Sequence, residues 1–362
     1  MLCLADYSGD VPWGAGAALT QINLVAGNPR TAFLFSRRNQ WRLFSALSEE
    51  SLMLFDIATA GGCSAAASNA GPPARAQARW GVDSEYGRLT DVMLSAPLHL
   101  EVLPCNSVAV EALANGLACC PVAAETQHRA LARTLEGEGV RCHFVPPSED
   151  MPDLSFTRDS VLMTPWGLLE LVPAVAHRAA EAAYVRRTAA SWGVPILGRL
   201  PEGRAEGGDI CVLRPGVVVI GYSGERTDEA GASALARLFE ARGWRALRYR
   251  FDPHFLHLDT HFTTVDRNRA VACTEAIDPT FLDQLEALGA DLVPVSYDEV
   301  QRLGGNILSL GDGRVLSSAD NHRLNGALER LGYRVLPVEI DQFVRCGGGI
   351  HCLTLPLARL PG

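Results

Sequence analysis

The sequence predicts an α/β protein built from five ββαβ-like units closed into a ring. Three observations predict it. A grammar of amphipathic helix, glycine, short β-rich run, polar loop and second β-rich run recurs five times after Trp80. The glycines that end the helices are Gly139, Gly193, Gly243, Gly289 and Gly332, spaced by 54, 50, 46 and 43 residues. Polar residues able to do chemistry fall in the same region of each unit.

The last two copies align most clearly, LEALGADLVPVSYDEVQRLGGNILSL (285–310) over LERLGYRVLPVEIDQFVRCGGGIHCL (328–353). LFEARGWRALRYRFDPHFLHLDTHFTTV (238–265) fits the same frame, and two earlier segments fit it more loosely. Each glycine suits the left-handed cap of a helix, where a side chain would clash. The runs that follow, such as Leu292–Val295 and Val335–Leu336, suit buried strands. One such unit cannot bury its own apolar face, so neighbours must pack together. Ring closure leaves the last unit one strand short, and LTDVMLS (89–95) can supply it. The competing reading is an ordinary α/β domain whose segments resemble one another by accident.

Residues 1–78 differ in texture from residues 79–362. The stretch ATAGGCSAAASNAGPPARA (58–76) has linker-like composition. A disordered or loosely packed extension is expected there, with short helices as the alternative around Leu34 and Leu52.

Composition narrows the function. The 362 residues are 48% apolar and 20% charged, as in ordinary globular proteins. No apolar run is long enough to span a membrane. A net charge of −9 argues against nucleic acid as a partner and suits a cationic ligand. All 32 basic residues are arginine, which excludes Schiff-base chemistry and the lysine-dependent phosphate loop. The ten cysteines show no Cys-x-x-Cys spacing, and no basic stretch precedes an apolar segment at the N-terminus. Reduced thiols and a cytoplasmic protein are the expectation. Self-association into a homo-oligomer is left open.

The polar residues are Asp159, Glu206 with Asp209, His257 with Asp259, Asn306, and Cys352. In a pseudo-symmetric ring, equivalent positions converge on the axis. Four carboxylates around one thiol crowd like charges unless a cation joins them. A guanidinium is positive, flat and rich in donors, and pairs bidentately with carboxylates. Its carbon is open to thiolate attack, and a nearby histidine can move the protons. Each residue also has a plainer reading. Cys352 could be one of ten core cysteines, His257 a satisfied core histidine, Asp209, Asp259 and Asn306 turn residues, and Arg226 a surface ion pair. HxD would also suit a metal, but the other histidines lack a matching spacing.

MPDLSFTRD (151–159), EGGD (206–209), HLDT (257–260) and GGGIHC (347–352) resemble the motifs of the guanidino-group modifying enzymes. That superfamily includes arginine deiminase, dimethylarginine dimethylaminohydrolase, agmatine deiminase and the amidinotransferases. The resemblance spans roughly residues 80–358 and implies a five-bladed α/β propeller, the pentein fold, with pseudo-fivefold ββαβ repeats. It implies Cys352 as nucleophile and His257 as general acid/base, with Asp159 and Glu206 gripping the guanidinium and Glu206 also orienting His257. Asp259 would add a second contact to substrate and Asp209 would support the site. Phe156 would line the substrate's apolar stem. Arg226, in GYSGERT (221–227), would meet its α-carboxylate, and Arg158 and Asn306 complete the substrate-binding set. No metal or organic cofactor is implied.

Only 47 residues separate Asp159 from Glu206, too few for the helical insert of arginine deiminases proper. Asp153 stands where those enzymes carry an asparagine, and would repel a substrate carboxylate there. His351–Cys352 is more similar to agmatine deiminases and amidinotransferases, and Asn106 lies where some arginine dihydrolases use an asparagine. The leading expectation is a hydrolase that converts an arginine derivative to a ureido product through an amidino-cysteine. The alternatives are an amidinotransferase and, from another class, a catalytically silent propeller that binds guanidino ligands.

Overall fold

The computed structural model describes residues 19–24, 31–36, 40–45 and 80–361. The chain divides into two units, residues 1–75 and 76–362. In the first, β1 (Leu19–Leu24), β2 (Thr31–Ser36) and β3 (Gln40–Ser45) form an antiparallel sheet in that order. Leu34 therefore lies in a strand and not in a short helix. The run TAFLFS, rich in aromatic and β-branched residues, favours the extended backbone. Leu52 and the linker-like 58–76 stretch, where disorder was expected, lie outside the described residues.

In the second unit β4 (Arg88–Ser95), α1 (Ser107–Ala114), α2 (Pro121–Gly137) and β5 (Arg141–Val145) come first. They are followed by β6 (Val161–Thr164), β7 (Gly167–Glu170), α3 (Glu181–Ser191) and β8 (Ile196–Arg199). Next come β9 (Ile210–Arg214), β10 (Val217–Tyr222), α4 (Glu229–Glu240) and β11 (Arg245–Arg250). The fourth set is β12 (Phe262–Asp266), β13 (Arg269–Ala272), α5 (Pro279–Ala287) and β14 (Asp291–Pro294), closed by the short α6 (Tyr297–Val300). The last is β15 (Leu308–Gly311), β16 (Arg314–Ser318), α7 (His322–Arg330) and β17 (Arg334–Val338), then α8 (Asp341–Val344) and β18 (Leu355–Leu360).

The protein is of the α/β class. The strands of this unit form three-stranded sheets, and in each the central strand pairs antiparallel on one side and parallel on the other. The parallel partner follows a helical crossover. The sheet β18-β4-β5 joins the two ends of the unit, with β4 antiparallel to β18 and parallel to β5. Leu89–Ser95 thus lies in the strand that completes the C-terminal pairing.

Burial falls from the first to the last strand of each sheet. β6, β12 and β15 are buried almost throughout, whereas β8, β14 and β17 alternate between exposed and half-buried positions. The runs at Leu292–Val295 and Val335–Leu336 are therefore outer strands. Val293 and Val295 are buried, but Leu292, Val335 and Leu336 are only partly so. Their apolar residues face the covering helices, while the outer sheet edge meets solvent. Helix α4 shows how the layers join. Ala232, Leu235, Ala236 and Phe239 recur at helical spacing and are buried on one face. Full burial of Leu235 and Phe239 is worth about 1.5–3 kcal/mol each. Among the described residues no helix is long and apolar enough to cross a membrane.

The five glycines read as helix caps all have left-handed backbones, with φ of 82° at Gly139, 81° at Gly193, 79° at Gly243, 76° at Gly289 and 91° at Gly332. A Cβ at any of them would meet open space, so the requirement is the dihedral angle and not room. Gly243→Ala should therefore lower unfolding free energy by about 1–2 kcal/mol. Gly243→Asn should lower it by less, since asparagine tolerates this conformation. Urea titration of both variants checks the order.

Candidate active site

The loops that enter the first strand of each sheet carry the polar residues found in the sequence. Asp159 precedes β6, Glu206 and Asp209 precede β9, His257 and Asp259 precede β12, Asn306 precedes β15, and Cys352 precedes β18. Tight turns at Gly207–Asp209 and Leu258–Thr260 shape two of these loops. Each loop is bonded to the next. Arg158 N donates to Cys352 O at 3.3 Å, and Gly207 N to Asp159 O at 3.2 Å. Leu258 N donates to Asp209 Oδ1 at 2.9 Å, and Asn306 Nδ2 to Asp259 O at 3.2 Å. His351 N donates to Asn306 Oδ1 at 2.9 Å, which returns the series to the Cys352 loop.

This arrangement opens on a cavity of about 320 Å³. Cys352, His257, Asp159, Phe156, Arg226 and Arg178 line it, with Asp153, Cys105, Asn106, Leu256, Cys346, Gly347 and Gly348. Cys352, His257 and Asp159 are almost fully buried. The Phe156 ring packs directly on Gly348, where any Cβ would collide with it. Gly208 serves His257 in the same way, since a Cβ there would stand 2.7 Å from Nδ1.

Charge is matched in pairs. Arg178 Nη1 lies 2.7 Å from Asp159 Oδ2, and its Nε lies 2.9 Å from Glu181 Oε2. Arg226 Nη1 is 3.3 Å from Glu206 Oε2, and its Nη2 donates to Cys105 O. His257 Nε2 is 2.9 Å from Glu206 Oε2, and its Nδ1 is 3.9 Å from Asp159 Oδ1. Burial alone would raise Glu206, but the His257 hydrogen bond and the Arg226 charge outweigh it and hold the carboxyl below the usual range. Burial would lower His257, yet Asp159 and Asp209, with Glu206, keep it protonated well above its ordinary value. Burial, and then the Asp259 charge, push the Cys352 thiol up to about 11, with His257 pulling the other way. The resting pair is a thiol beside an imidazolium. Three buried acceptors, Asp159 Oδ1, Asp209 Oδ2 and Asp259 Oδ1, have no hydrogen-bond partner.

Behind Cys352 lies a second buried network. Asp259 Oδ2 is 2.7 Å from His351 Nδ1 and 3.8 Å from Cys352 Sγ. His351 Nε2 is 2.6 Å from Arg158 Nη2, and Arg158 Nη1 is 3.3 Å from Glu85 Oε1. A guanidinium can only donate. His351 Nε2 therefore accepts, and Nδ1–H donates to Asp259, which leaves Asp259 Oδ1 unspent.

Of the expected site residues, Glu206, Asp209, Asp259, Arg158 and Asn306 do not line this cavity. The Arg158 side chain turns into the network with Glu85 and His351, opposite to that of its neighbour Asp159. Asn306 Oδ1 holds the backbone N–H groups of His351 and Cys352, and its Nδ2 lies 3.4 Å from Cys352 Sγ. Asp209 clamps the His257 loop through Leu258 N, and burial raises its carboxyl to about 7. Asp259 stands between thiol and His351. Arg178 and Glu85, at the centre of the two networks, carry no periodic signal in the sequence. The excess of carboxylates was the one clue that buried arginines must exist. Among the described residues two groups have the donor types to hold a metal ion: Asp159, Glu206 and His257, already matched to Arg178 and Arg226, and Cys105, Asp153 and His177.

Comparison with known proteins gives a consistent result. The family model for "N,N dimethylarginine dimethylhydrolase, eukaryotic" matches residues 120–359. An uncharacterized protein, YkgA of Bacillus subtilis (strain 168), is 29% identical over 279 residues, 76% of this chain and 94% of its own. An arginine deiminase of Mycobacterium marinum is 30% identical over 59% of this chain and 62% of its own length. Among solved structures, dimethylarginine dimethylaminohydrolase from Pseudomonas aeruginosa, a mutant complexed with citrulline, is similar with a TM-score of 0.62. It is 24% identical and the match covers 74% of this chain and 99% of that one. The N-terminal domain of ArgZ, a cyanobacterial arginine dihydrolase, gives a TM-score of 0.66 at 19% identity, over 74% and 97% of the two chains.

Only a thiolate is alkylated. With a thiol at about 11, iodoacetamide labelling of Cys352 should rise about tenfold per pH unit between roughly pH 7 and 10. Asp259→Asn removes a charge that opposes ionisation, so labelling at pH 8 should quicken by about three- to tenfold. Peptide mapping of the alkylated protein measures both. A flat pH profile, or slower labelling in the variant, would contradict this electrostatic account.

Proposed function

The chain belongs to the N,N dimethylarginine dimethylhydrolase family, and we propose that it hydrolyses the guanidinium group of an arginine derivative, with Cys352 as the nucleophile. The observation that carries this reading is a buried thiol beside unspent carboxylate oxygens. Asp159 Oδ1 and Asp259 Oδ1 lack donors, and Asp259 is within 3.8 Å of Cys352 Sγ through its other oxygen. A guanidinium supplies the missing N–H groups and the missing charge. Burial and then the Asp259 charge raise the thiol, and the guanidinium's positive charge opposes both, so binding favours the thiolate.

The reaction then runs in two halves. On binding, the Cys352 thiol releases its proton to solvent; the thiolate then forms a bond to the guanidinium carbon, and His257 gives its own proton to the departing amine, which leaves as ammonia or an alkylamine. The product of this half is an amidino thioether on Cys352. His257, now neutral, takes a proton from water as the oxygen attacks the same carbon. The C–S bond breaks, thiolate leaves, and a ureido product remains. Glu206 orients His257, Asp209 fixes its loop, and Phe156 covers the stem of the substrate. Asn306, His351 and Arg158 hold the nucleophile loop and Asp259 in place.

Arg178 and Arg226 on the same cavity favour a substrate with a carboxylate, and Asp153 is suited to an α-ammonium. That pattern favours an amino acid over agmatine. It also removes the objection that Asp153 would repel the substrate, since the carboxylate falls to the arginines. The names of the family model and of the arginine deiminase relative support hydrolysis over amidino transfer. The five like-paired sheets and the circle of hydrogen bonds support a closed five-bladed α/β propeller, the pentein fold.

Incubation with arginine, methylated arginines and agmatine, with and without glycine, tests the proposal. Citrulline should form from a carboxylate-bearing substrate without an acceptor, and mass spectrometry should trap an amidino adduct on Cys352. Cys352→Ser should reduce turnover at least about a thousandfold. Retained turnover in that variant, or product only with glycine, would rule the mechanism out.

Replacing the donor to Asp259 gives a separate test. His351→Ala should raise the Asp259 carboxyl and shift the acid limb of kcat/KM to higher pH. His351→Asn, whose amide can replace Nδ1–H, should keep that limb near its original place. An unchanged profile in His351→Ala would show that Asp259 needs no such support.

A further inference from the structure

Two walls of the cavity come from distant parts of the chain. Cys105 and Asn106, just ahead of α1, form one, and Cys346, Gly347 and Gly348 form the other. A second cysteine, Cys119, follows α1 closely. Residues 113–118 and 120 are all exposed, whereas Cys119 is half-buried and packs against the apolar cluster that contains Cys346. The Cys119 and Cys346 thiols share a hydrogen bond. We propose that Cys119 and Cys346 form a reversible disulfide under peroxide, and that this bond pins the two walls of the cavity together.

Hydrogen bonds on both sides hold the pair in place. Arg345 Nη1 donates to Ala118 O at 2.8 Å, and Cys120 N donates to Gln342 Oε1 at 2.8 Å. The neighbours of Cys119 are thus tied to the residues just ahead of Cys346. Asn106 Nδ2 donates to Cys346 O at 2.9 Å, and a Cβ on Gly347 would collide with the Asn106 side chain. The two thiols differ in reactivity. The Cys346 hydrogen bond, helped by the Arg345 charge, holds Cys119 below its ordinary value against burial. The same hydrogen bond, with burial, pushes Cys346 up. Cys119 is therefore the thiolate and Cys346 its donor, and the half-buried Cys119 is the one a small oxidant reaches. Cys352, pushed up to about 11, competes poorly.

The steps balance with hydrogen peroxide as oxidant. The Cys119 thiolate attacks one peroxide oxygen, the O–O bond breaks, and a sulfenic acid and hydroxide form. The Cys346 sulfur then attacks the Cys119 sulfur, the S–O bond breaks, and the departing hydroxide takes the Cys346 proton as water. With the proton that Cys119 gave to solvent, two thiols become one disulfide and one peroxide becomes two waters. A dithiol reverses the bond by exchange. The bond matters because Cys352 is 3% exposed, so a reagent reaches it only when the walls part. Helix α1 buries only Ala109 and Ala112 and leaves Val110 and Leu113 exposed, so its segment is lightly held. A covalent tie at Cys119 removes that freedom. None of this depends on the hydrolase reading.

Peptide mapping of the peroxide-treated full-length protein decides the matter without turnover. Trypsin cuts this chain after arginine alone, so Cys105, Cys119 and Cys120 leave in residues 89–129, and Cys346 and Cys352 in residues 346–359. The two peptides should appear joined, two hydrogens lighter than their sum, and dithiothreitol should part them. The link should persist in Cys105→Ser, Cys120→Ser and Cys352→Ser, and vanish in Cys119→Ser and Cys346→Ser, with folding checked by circular dichroism. In Cys346→Ser, dimedone should mark Cys119 as the sulfenic acid. No link in the wild type, or a link that outlives Cys119→Ser, would overturn the disulfide. Oxidation should slow iodoacetamide labelling of Cys352 at least about threefold, as for a lid held shut, relative to Cys119→Ser treated alike. Equal labelling rates in the two proteins would refute the pinning.

Discussion

The circle of hydrogen bonds among the strand-entry loops is the constraint on which the rest depends. No loop is held by its own sheet alone. The Cys352 loop is gripped by Asn306 on one side and grips Arg158 on the other. Asp209 holds the His257 loop, and Asp259 O receives Asn306. Side chains from sequence-distant segments can therefore be fixed closely while their loops stay short. The circle also satisfies backbone groups that burial would otherwise leave unpaired.

Such a centre collects charge, and the protein divides that charge unevenly. Glu206 and one oxygen of Asp159 are compensated by arginines from within the chain. Asp259 is compensated indirectly, through His351, Arg158 and Glu85. Burial, and after it the charge of Asp259, push the Cys352 thiol up. A thiol kept protonated in this way is protected from stray electrophiles. Preorganised carboxylates would hold a cation at little reorganisation cost.

Much of this was legible in the sequence. Each of the five capping glycines follows a helix, and their left-handed angles follow from helix termination alone. Asp159, Glu206, His257 and Cys352 each precede the first strand of a sheet, a position the sequence marked as lying past each capping glycine. Arg178 was not so marked, since it lies in the short turn between β7 and α3, outside the motifs that carry the polar residues. The carboxylate excess was assigned wholly to a ligand, whereas arginines of the chain carry part of it. Arg158 was expected to bind substrate, but in the turn before β6 its side chain leaves toward Glu85 and His351 while that of Asp159 faces the cavity. Asn306 showed its position but not its partners, since one amide can bond ligand or backbone equally well.

The exposed outer strands have a consequence of their own for how this protein behaves when crowded. A half-solvated strand offers its free edge to any extended chain nearby. β11 blunts that edge with Arg245, Arg248 and Arg250, while β14 ends at Pro294 and β17 carries Pro337. β5 and β8 have weaker guards, because Phe144 and Ile196 are exposed on them. If copies of this chain ever stick together through added strands, they will start from those two.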